Sequence, residues 1–436
     1  MSVVHNQSIR QLRSRHYSLK SLTGIYQTLL RHQTFDFPCL GTGLFSASAS
    51  ADADYTGYAS AWVRDNIHIA HAHYVVGEKG IAVKNIETLL QYFNQSRGRL
   101  ETTIRAGHAP ESVMERPHVR FNGQTLQELD QAWAHAQNDA LGYFVWFVCQ
   151  LTLSGDFRLS ADHCQLLALF PLYFQAIRYW EDEDSGHWEE SRKVEASSIG
   201  AVVAGLTLFK HAIATSDVDY QAFAFDGQTV TVEVLDDLIC QGRAALDQIL
   251  PAECIQPANP RQYDAALLFL IYPLTVVEGV MADQILENVI THLQGDYGIK
   301  RYLGDSFWAA DYKTKLSPET RTIDFSDDMS ARDALLTEGE EAQWCIFDPI
   351  VSVIFGLKYQ ATGDPTYLDQ QVLYFNRALG QLTAEDSTFG GFKCPELYYL
   401  ENGQYVPNDV TPLLWTQANL LLAFHHLDNS LRLTQD

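Results

Sequence analysis

Residues 229–250 read Thr-Val-Thr-Val-Glu-Val-Leu-Asp-Asp-Leu-Ile-Cys-Gln-Gly-Arg-Ala-Ala-Leu-Asp-Gln-Ile-Leu. Leu235, Leu238, Ile239, Leu246 and Ile249 recur at three- and four-residue steps, the period that gathers side chains on one face of an α-helix. The same period runs through most of the chain, and strand alternation is scarce. It predicts twelve helices, near 8–32, 61–77, 81–96, 139–154, 160–181, 194–213, 229–250, 261–275, 280–293, 341–361, 364–382 and 411–426. For the last of these, Thr411 is expected to cap free amides and Pro412 to open the helix. Twelve helices, several apolar over much of their surface, suit six helical hairpins in two concentric layers. The expected fold is an all-α (α/α)6 toroid. A helical solenoid would give a similar count, but the sequence shows no fixed repeat of that kind.

The 436 residues contain no Pro/Gly/Ser-rich linker, so one domain spanning 1–436 is expected. With 46% apolar residues the chain can enclose a sizeable core. Lys and Arg number 30 against 54 Asp and Glu, a formal charge of −24 that repels phosphate backbones and anionic lipid. Nucleic acid and membrane partners are therefore not expected, whereas a neutral sugar polymer meets no such repulsion. The start, Met1-Ser-Val-Val-His-Asn, lacks a basic segment followed by an apolar core, and the reading finds no run of about 20 apolar residues, so a cytoplasmic location is expected. Seven cysteines, odd in number and without a C-x-x-C pair, read as reduced thiols, many of them in helical core positions.

Three long segments depart from the helical period, near 34–60, 97–132 and 294–340. Loops of that length in a folded domain are commonly functional or disordered. Four shorter stretches carry chemistry. Gly186-His187-Trp188-Glu189-Glu190 sets two carboxylates beside an indole whose apolar face can raise a carboxyl pKa, as a general acid requires. Cys394-Pro395-Glu396-Leu397-Tyr398-Tyr399 offers a second carboxylate among aromatic residues, as glycosidases need. Trp62-Val63-Arg64-Asp65, after the loop from Phe45 to Tyr55, brings together a flat indole, a guanidinium fork and a carboxylate, a set suited to stacking on a sugar and gripping its hydroxyls. Trp133-Ala-His-Ala-Gln137-Asn-Asp139 could complete a hydroxyl-binding rim. Each has an ordinary alternative: a solvated loop edge, a structural Glu bonded to tyrosine, a helix-start ion pair, and a helix cap at Asp139.

Taken in this order, the four segments resemble glycoside hydrolase family 15, the glucoamylases, and the related amino-terminal domains of phosphorylase kinase regulatory subunits. The W-x-R-D of that family is Trp62 to Asp65, and its W-x3-Q-x-D is Trp133, Gln137 and Asp139. Its W-E-E followed by S-S is Trp188, Glu189, Glu190, Ser197 and Ser198. Gly295-Asp-Tyr-Gly-Ile-Lys-Arg301-Tyr302 is similar to the family's arginine segment, and Trp344 to a tryptophan on the following helix. The resemblance implies an inverting, exo-acting α-glucosidase that needs no cofactor. Glu189 would be the general acid and Glu396 the general base, with Arg64, Asp65, Glu190 and Arg301 gripping the terminal sugar of an α-linked glucan. It also implies a rival, a non-catalytic glucan-binding regulatory module. The run Pro395-Glu396-Leu397-Tyr398-Tyr399 is closer to the kinase subunits than to glucoamylases, which commonly carry Glu-Gln and an aromatic residue at the base position. His68, His71 and His73 lack a partner set for a metal, so no metal site is expected. No phosphate-binding loop, dinucleotide fingerprint or G-x-S-x-G occurs.

Overall fold

Helices that are apolar around most of their circumference are buried only when other helices surround them. The structure, a computed structural model, describes residues 3–49, 57–107, 110–215, 222–321 and 323–434, and in it six such helices close a ring. Val63–Val75 packs on Asn138–Leu153, which packs on Ala196–Thr215. The short Leu268–Ile271 follows, then Phe347–Thr362 and Leu414–Leu433, which returns to Val63–Val75. Every residue of the first of these from Val63 to His73 is buried. A second layer alternates with the ring along the chain: Leu19–Arg31, Lys79–Gln95, Ala161–Ile177, Val232–Ile249, Gly279–Asn288 and Pro365–Gly380 each lie against an inner helix. Val232–Ile249 shows what sets an outer helix apart, burying one stripe made of Leu235, Leu238, Gly242, Leu246 and Ile249. The fold is an (α/α)6 toroid.

The tightest inner contact depends on glycine. A Cβ on Gly142 would lie 2.5 Å from the Ala201 carbonyl carbon, and one on Gly205 would lie 2.7 Å from the Gly142 oxygen. Even alanine at either place would push two inner helices apart. Ala196–Thr215 corrects one expectation, since by length and composition it could cross a membrane. Of its most apolar stretch, 67% is instead buried inside the toroid.

Several predicted boundaries shift for local reasons. The helix expected over 8–32 is two, Gln7–Leu12 and Leu19–Arg31, because Ser18 caps the second by accepting from the Ser21 amide at 3.2 Å. The segment 97–132 contains a helix, Gly98–Ala106, which buries little beyond Leu100, Thr103 and Ile104. The expected helix over 261–275 is reduced to a 3-10 turn, Ala265–Leu267, and the single turn Leu268–Ile271. The last helix begins at Leu414 after an uncapped Leu413, and the Thr411 hydroxyl donates to the Asn408 carbonyl instead. The three histidines pack against aromatic rings: His68 on Trp415, His71 on Trp146, His73 between Phe37 and Phe45.

Short ribbons precede the inner helices. Ala61–Trp62 pairs with Arg120–Asn122 and runs straight into Val63. Gln343–Trp344 pairs with Leu397–Glu401, which turns back through Gln404–Pro407, just ahead of Phe347. Trp62–Asp65, Trp133–Asp139, Gly186–Glu190 and Trp344 sit at or just before the amino-terminal starts of inner helices, and so at one end of the toroid, whereas Arg301 comes from a loop and Glu396 from the start of a strand. Free amides and the positive ends of helix dipoles face that end, which favours carboxylates there.

Candidate active site

One cavity opens at this end, about 980 Å³ including its open mouth. Trp62, Arg64, Asp65, Trp133, Trp188, Glu189, Arg301, Trp344 and Glu396 all line it. These residues span more than 330 positions of sequence, and only the closure of the ring brings them together.

Glu189 is carried by a loop closed at its base by an Asp184–Lys193 backbone bridge, with amide-to-carbonyl distances of 3.0 and 2.9 Å. The loop is so tight that a Cβ on Gly186, whose φ is +53°, would lie 1.5 Å from Glu195 Oε2. Glu189 itself has φ 58° and ψ 47°, a left-handed conformation that costs a non-glycine residue energy and recurs at functional sites. That turn aims adjacent carboxylates in different directions. The Glu189 side chain is 19% exposed and faces the cavity, with Oε1 3.7 Å from Arg64 Nη1. Burial raises its pKa, opposed by Arg64 and Arg120 and assisted by Asp324.

Glu190 points inward and does not line the cavity. It receives Arg301 at 3.1 Å, Arg261 at 3.0 Å, Arg332 at 2.7 Å and the Tyr302 hydroxyl at 2.7 Å. Burial opposes its charge, but the three guanidiniums hold its carboxyl well below the ordinary range. Gln137 and Asp139 are likewise withdrawn from the cavity. Arg64 donates to both, at 2.5 Å from Nη2 to Gln137 and 2.5 Å from Nε to Asp139. These two residues fix the guanidinium that lines the wall. Arg301 is held the same way, by a two-point contact with Asp305 at 2.6 and 2.7 Å, and lies among the rings of Trp188, Trp344 and Phe307.

Glu396, 2% exposed, lines the same cavity from just before the Leu397–Glu401 strand, its main chain bonded to Val410 and Cys345. Tyr58 donates its hydroxyl to Oε1 at 2.8 Å and Asn408 its amide to Oε2 at 2.5 Å. Burial pushes its pKa up to about 7, with these donors pulling the other way. Asp65 also reaches about 7, through burial and the nearness of Glu189, against the pull of Arg64. Trp188 is held flat by its indole N–H, which donates to both oxygens of Asp264 at 3.0 and 3.1 Å.

Sequence reasoning missed part of the wall and of what holds it. Tyr58 and Asn408 flank motifs without belonging to them. Arg120 stacks between Trp62 and Trp133, 4.9 and 4.0 Å from their rings. Phe307, Trp308, Asp324, Phe325 and Arg332 come from the irregular 294–340 segment, whose aromatic and charged content was the one available signal. Residues 50–56, part of the loop before Trp62, lie outside the described residues.

The model of the glycosyl hydrolases family 15 matches residues 23–345. The chain belongs to this family. Curated relatives include the probable phosphorylase b kinase regulatory subunit alpha of Caenorhabditis elegans, 26% identical over 434 residues, covering 90% of this chain and 32% of that protein. The skeletal muscle isoform of Mus musculus is 27% identical over 369 residues, 77% of this chain and 27% of that one. The chain thus spans about a third or less of these relatives' length. Among solved structures, a wild-type glycosidase superposes with TM-score 0.63 at 16% identity, over 96% of this chain and 98% of the other. A glucoamylase from Saccharomycopsis fibuligera gives 0.56 at 13%, over 99% and 97%. At such identities these likenesses establish the toroid fold that this family shares.

Proposed function

We propose that the chain is an inverting, exo-acting α-glucosidase that hydrolyses α-glucosidic bonds at the non-reducing end of maltodextrin or glycogen-like glucans. The observation that carries this reading is Glu189 and Glu396 lining one aromatic-walled cavity, each with a raised pKa and each held by a different set of partners. The Glu189 carboxyl gives its proton to the glycosidic oxygen as the C1–O bond breaks. Glu396 takes a proton from the water whose oxygen attacks C1 from the opposite face. Arg64, Asp65 and Arg301 grip the hydroxyls of the terminal sugar, and Trp62, Trp133, Trp188 and Trp344 supply stacking surface. Glu190, Gln137 and Asp139 act through the arginines they hold. Residues 1–436 are taken as one domain of this kind, which the continuous apolar core from Ile9 to Leu431 supports.

A second reading has its own observation. Arg64 and Arg120 both favour the ionised form of Glu189, an arrangement that suits binding better than proton donation, and relatives at 26–27% identity are named regulatory subunits. In that reading the cavity binds a glucan end without turnover. Proton NMR during incubation with α-1,4, α-1,6 and α,α-1,1 glucosides separates the two. The enzyme releases β-glucose first, and Glu189→Gln and Glu396→Gln each lower turnover by about 100- to 10,000-fold while glucan binding persists. The α anomer appearing first defeats inversion, and saturable binding without glucose from any linkage hands the site to the regulatory reading.

A further inference from the structure

The W-E-E motif leaves out His187, which stands two residues ahead of Glu189, is 3% exposed and lines the cavity. Its ring lies parallel to that of Phe269, with centroids 5.8 Å apart, and edge-on to that of Tyr143. Both ring nitrogens meet polar groups. Nε2 is 3.1 Å from the Tyr143 hydroxyl. Nδ1 is 3.1 Å from the Ser197 hydroxyl and 3.6 Å from Asp139 Oδ2.

Burial lowers the imidazole pKa to about 4, against the pull of Asp139, so one ring nitrogen carries a hydrogen and the other a lone pair. The neighbours decide which. The Tyr143 hydroxyl meets no other acceptor among the described residues, so it donates to Nε2. Asp139 is paired with Arg64 Nε at 2.5 Å. A lone pair on Nδ1 facing that carboxylate would be repelled, whereas an N–H is attracted to it. Ser197, 2.6 Å from Glu253 Oε1, hands its hydrogen to that carboxyl group and accepts from Nδ1. All three neighbours are served when the hydrogen sits on Nδ1.

From Nδ1 the contacts run into the sugar grip. Asp139 Oδ2 faces both the imidazole and Arg64, the first as a charge–dipole contact too long for a hydrogen bond. Arg64 Nη2 donates at 3.0 Å to the carbonyl of Gly186, the residue before His187, and Arg64 Nη1 lies 3.7 Å from Glu189 Oε1. The path from His187 through Asp139 to Arg64 therefore returns to the loop on which it began. We propose that His187, as the neutral Nδ1–H tautomer, is a positioning residue that keeps Asp139 against Arg64 and so aims the Arg64 guanidinium at the terminal sugar. This rests on Arg64 gripping a sugar, which both readings of the site share, and its first test needs no sugar.

Nitrogen NMR of the chain labelled at histidine separates the tautomers, because protonated and bare ring nitrogens resonate far apart. Tyr143→Phe, which removes the donor to Nε2, assigns the His187 signals by their shift without altering His187 itself. Nδ1 should carry the hydrogen at pH 7, and an Nε2–H tautomer or an imidazolium overturns the proposal. The second test reads the consequence. His187→Asn places an amide N–H near the position of Nδ1, and His187→Gln places one nearer to that of Nε2. Calorimetry with maltotriose, in a Glu396→Gln background to prevent hydrolysis, should show His187→Gln weakening affinity about tenfold, as when a charged hydrogen bond is lost. His187→Asn should recover most of that affinity. Asp139→Asn should lose a similar factor, and the double variant with His187→Gln little more than either alone, because both act through Arg64. Equal losses in the Asn and Gln variants, or losses that multiply in the double variant, overturn the proposal and leave His187 as packing. If the chain binds no maltotriose, the glucan reading fails, and the nitrogen spectrum still decides the tautomer.

Discussion

Glu190 and Glu396 are both buried beside one cavity and are held in opposite ways. Glu190 is met by three guanidiniums and a phenol, all donors and three of them charged. Glu396 is met by two neutral donors, Tyr58 and Asn408. Burial pushes both toward the protonated form. The cations reverse that push at Glu190, and the neutral donors only blunt it at Glu396. The difference teaches that cations keep a buried carboxylate charged, while neutral hydrogen-bond donors leave its pKa raised toward neutrality, the state that the proposed general base at Glu396 would use.

The largest effect that could break this contrast is the loss of Glu190. Glu190→Gln leaves the Arg261, Arg301 and Arg332 guanidiniums buried around a neutral amide, and removing one side of a buried ionic cluster costs about 3 to 5 kcal/mol. Urea unfolding at pH 7 should show a loss of that order. A change under about 1 kcal/mol would mean that water reaches these arginines and that the hub does not hold the site together.

The contrast also predicts opposite pH dependences of stability. Glu190 has a depressed pKa in the fold, so its stabilisation is present above the unfolded value and is lost as pH falls through the folded one. Glu396 has a raised pKa. Between its ordinary 4.5 and about 7 the folded chain keeps a proton that the unfolded chain has released, so stability falls as pH rises across that window. A shift of that size is worth about 3 kcal/mol. Glu396→Gln should flatten the decline between pH 5 and 7 in urea titrations, leaving the part due to the other carboxyls that burial raises, among them Asp65, raised to about 7, and Asp264, raised to about 6. An unchanged slope would show that Glu396 is ionised throughout and that its burial is compensated.

The sequence showed the toroid well because burial on all sides leaves a compositional mark. Residues 139–154 were expected as a helix and form Asn138–Leu153, and 229–250 forms Val232–Ile249. Failure came where a short apolar run fits several backbones. Residues 265–271 read as continuous helix, but only two short turns form before Pro273. The site was legible where one short motif carries several cavity-lining residues, as Trp62, Arg64 and Asp65 do. It was illegible where partners are distant: Tyr58 meets Glu396 across 338 positions and Arg332 meets Glu190 across 142. Glu190 shows the limit most plainly. Its motif drew attention to it, but the left-handed turn at Glu189 directs it away from the cavity.

The smallest predicted effect sharpens the role of the neutral donors. The Tyr58 phenol, itself kept protonated by burial and by the carboxylate it touches, donates to Glu396 and so favours the ionised form that a general base requires. Tyr58→Phe removes that bond and little volume. A hydrogen bond to a charged group is worth about 1.5 to 3 kcal/mol, which corresponds to a further rise of about one to two pH units at Glu396. Activity at pH 7 should drop by roughly tenfold or somewhat more, and the acidic limb of kcat/KM should move upward by the same interval, with rate recovered on the alkaline side. That recovery separates the two ways in which Tyr58 could matter. If the phenol only props the cavity wall, turnover falls by one factor at every pH and the limb stays in place, and Glu396 would then owe its ionisation to Asn408 alone.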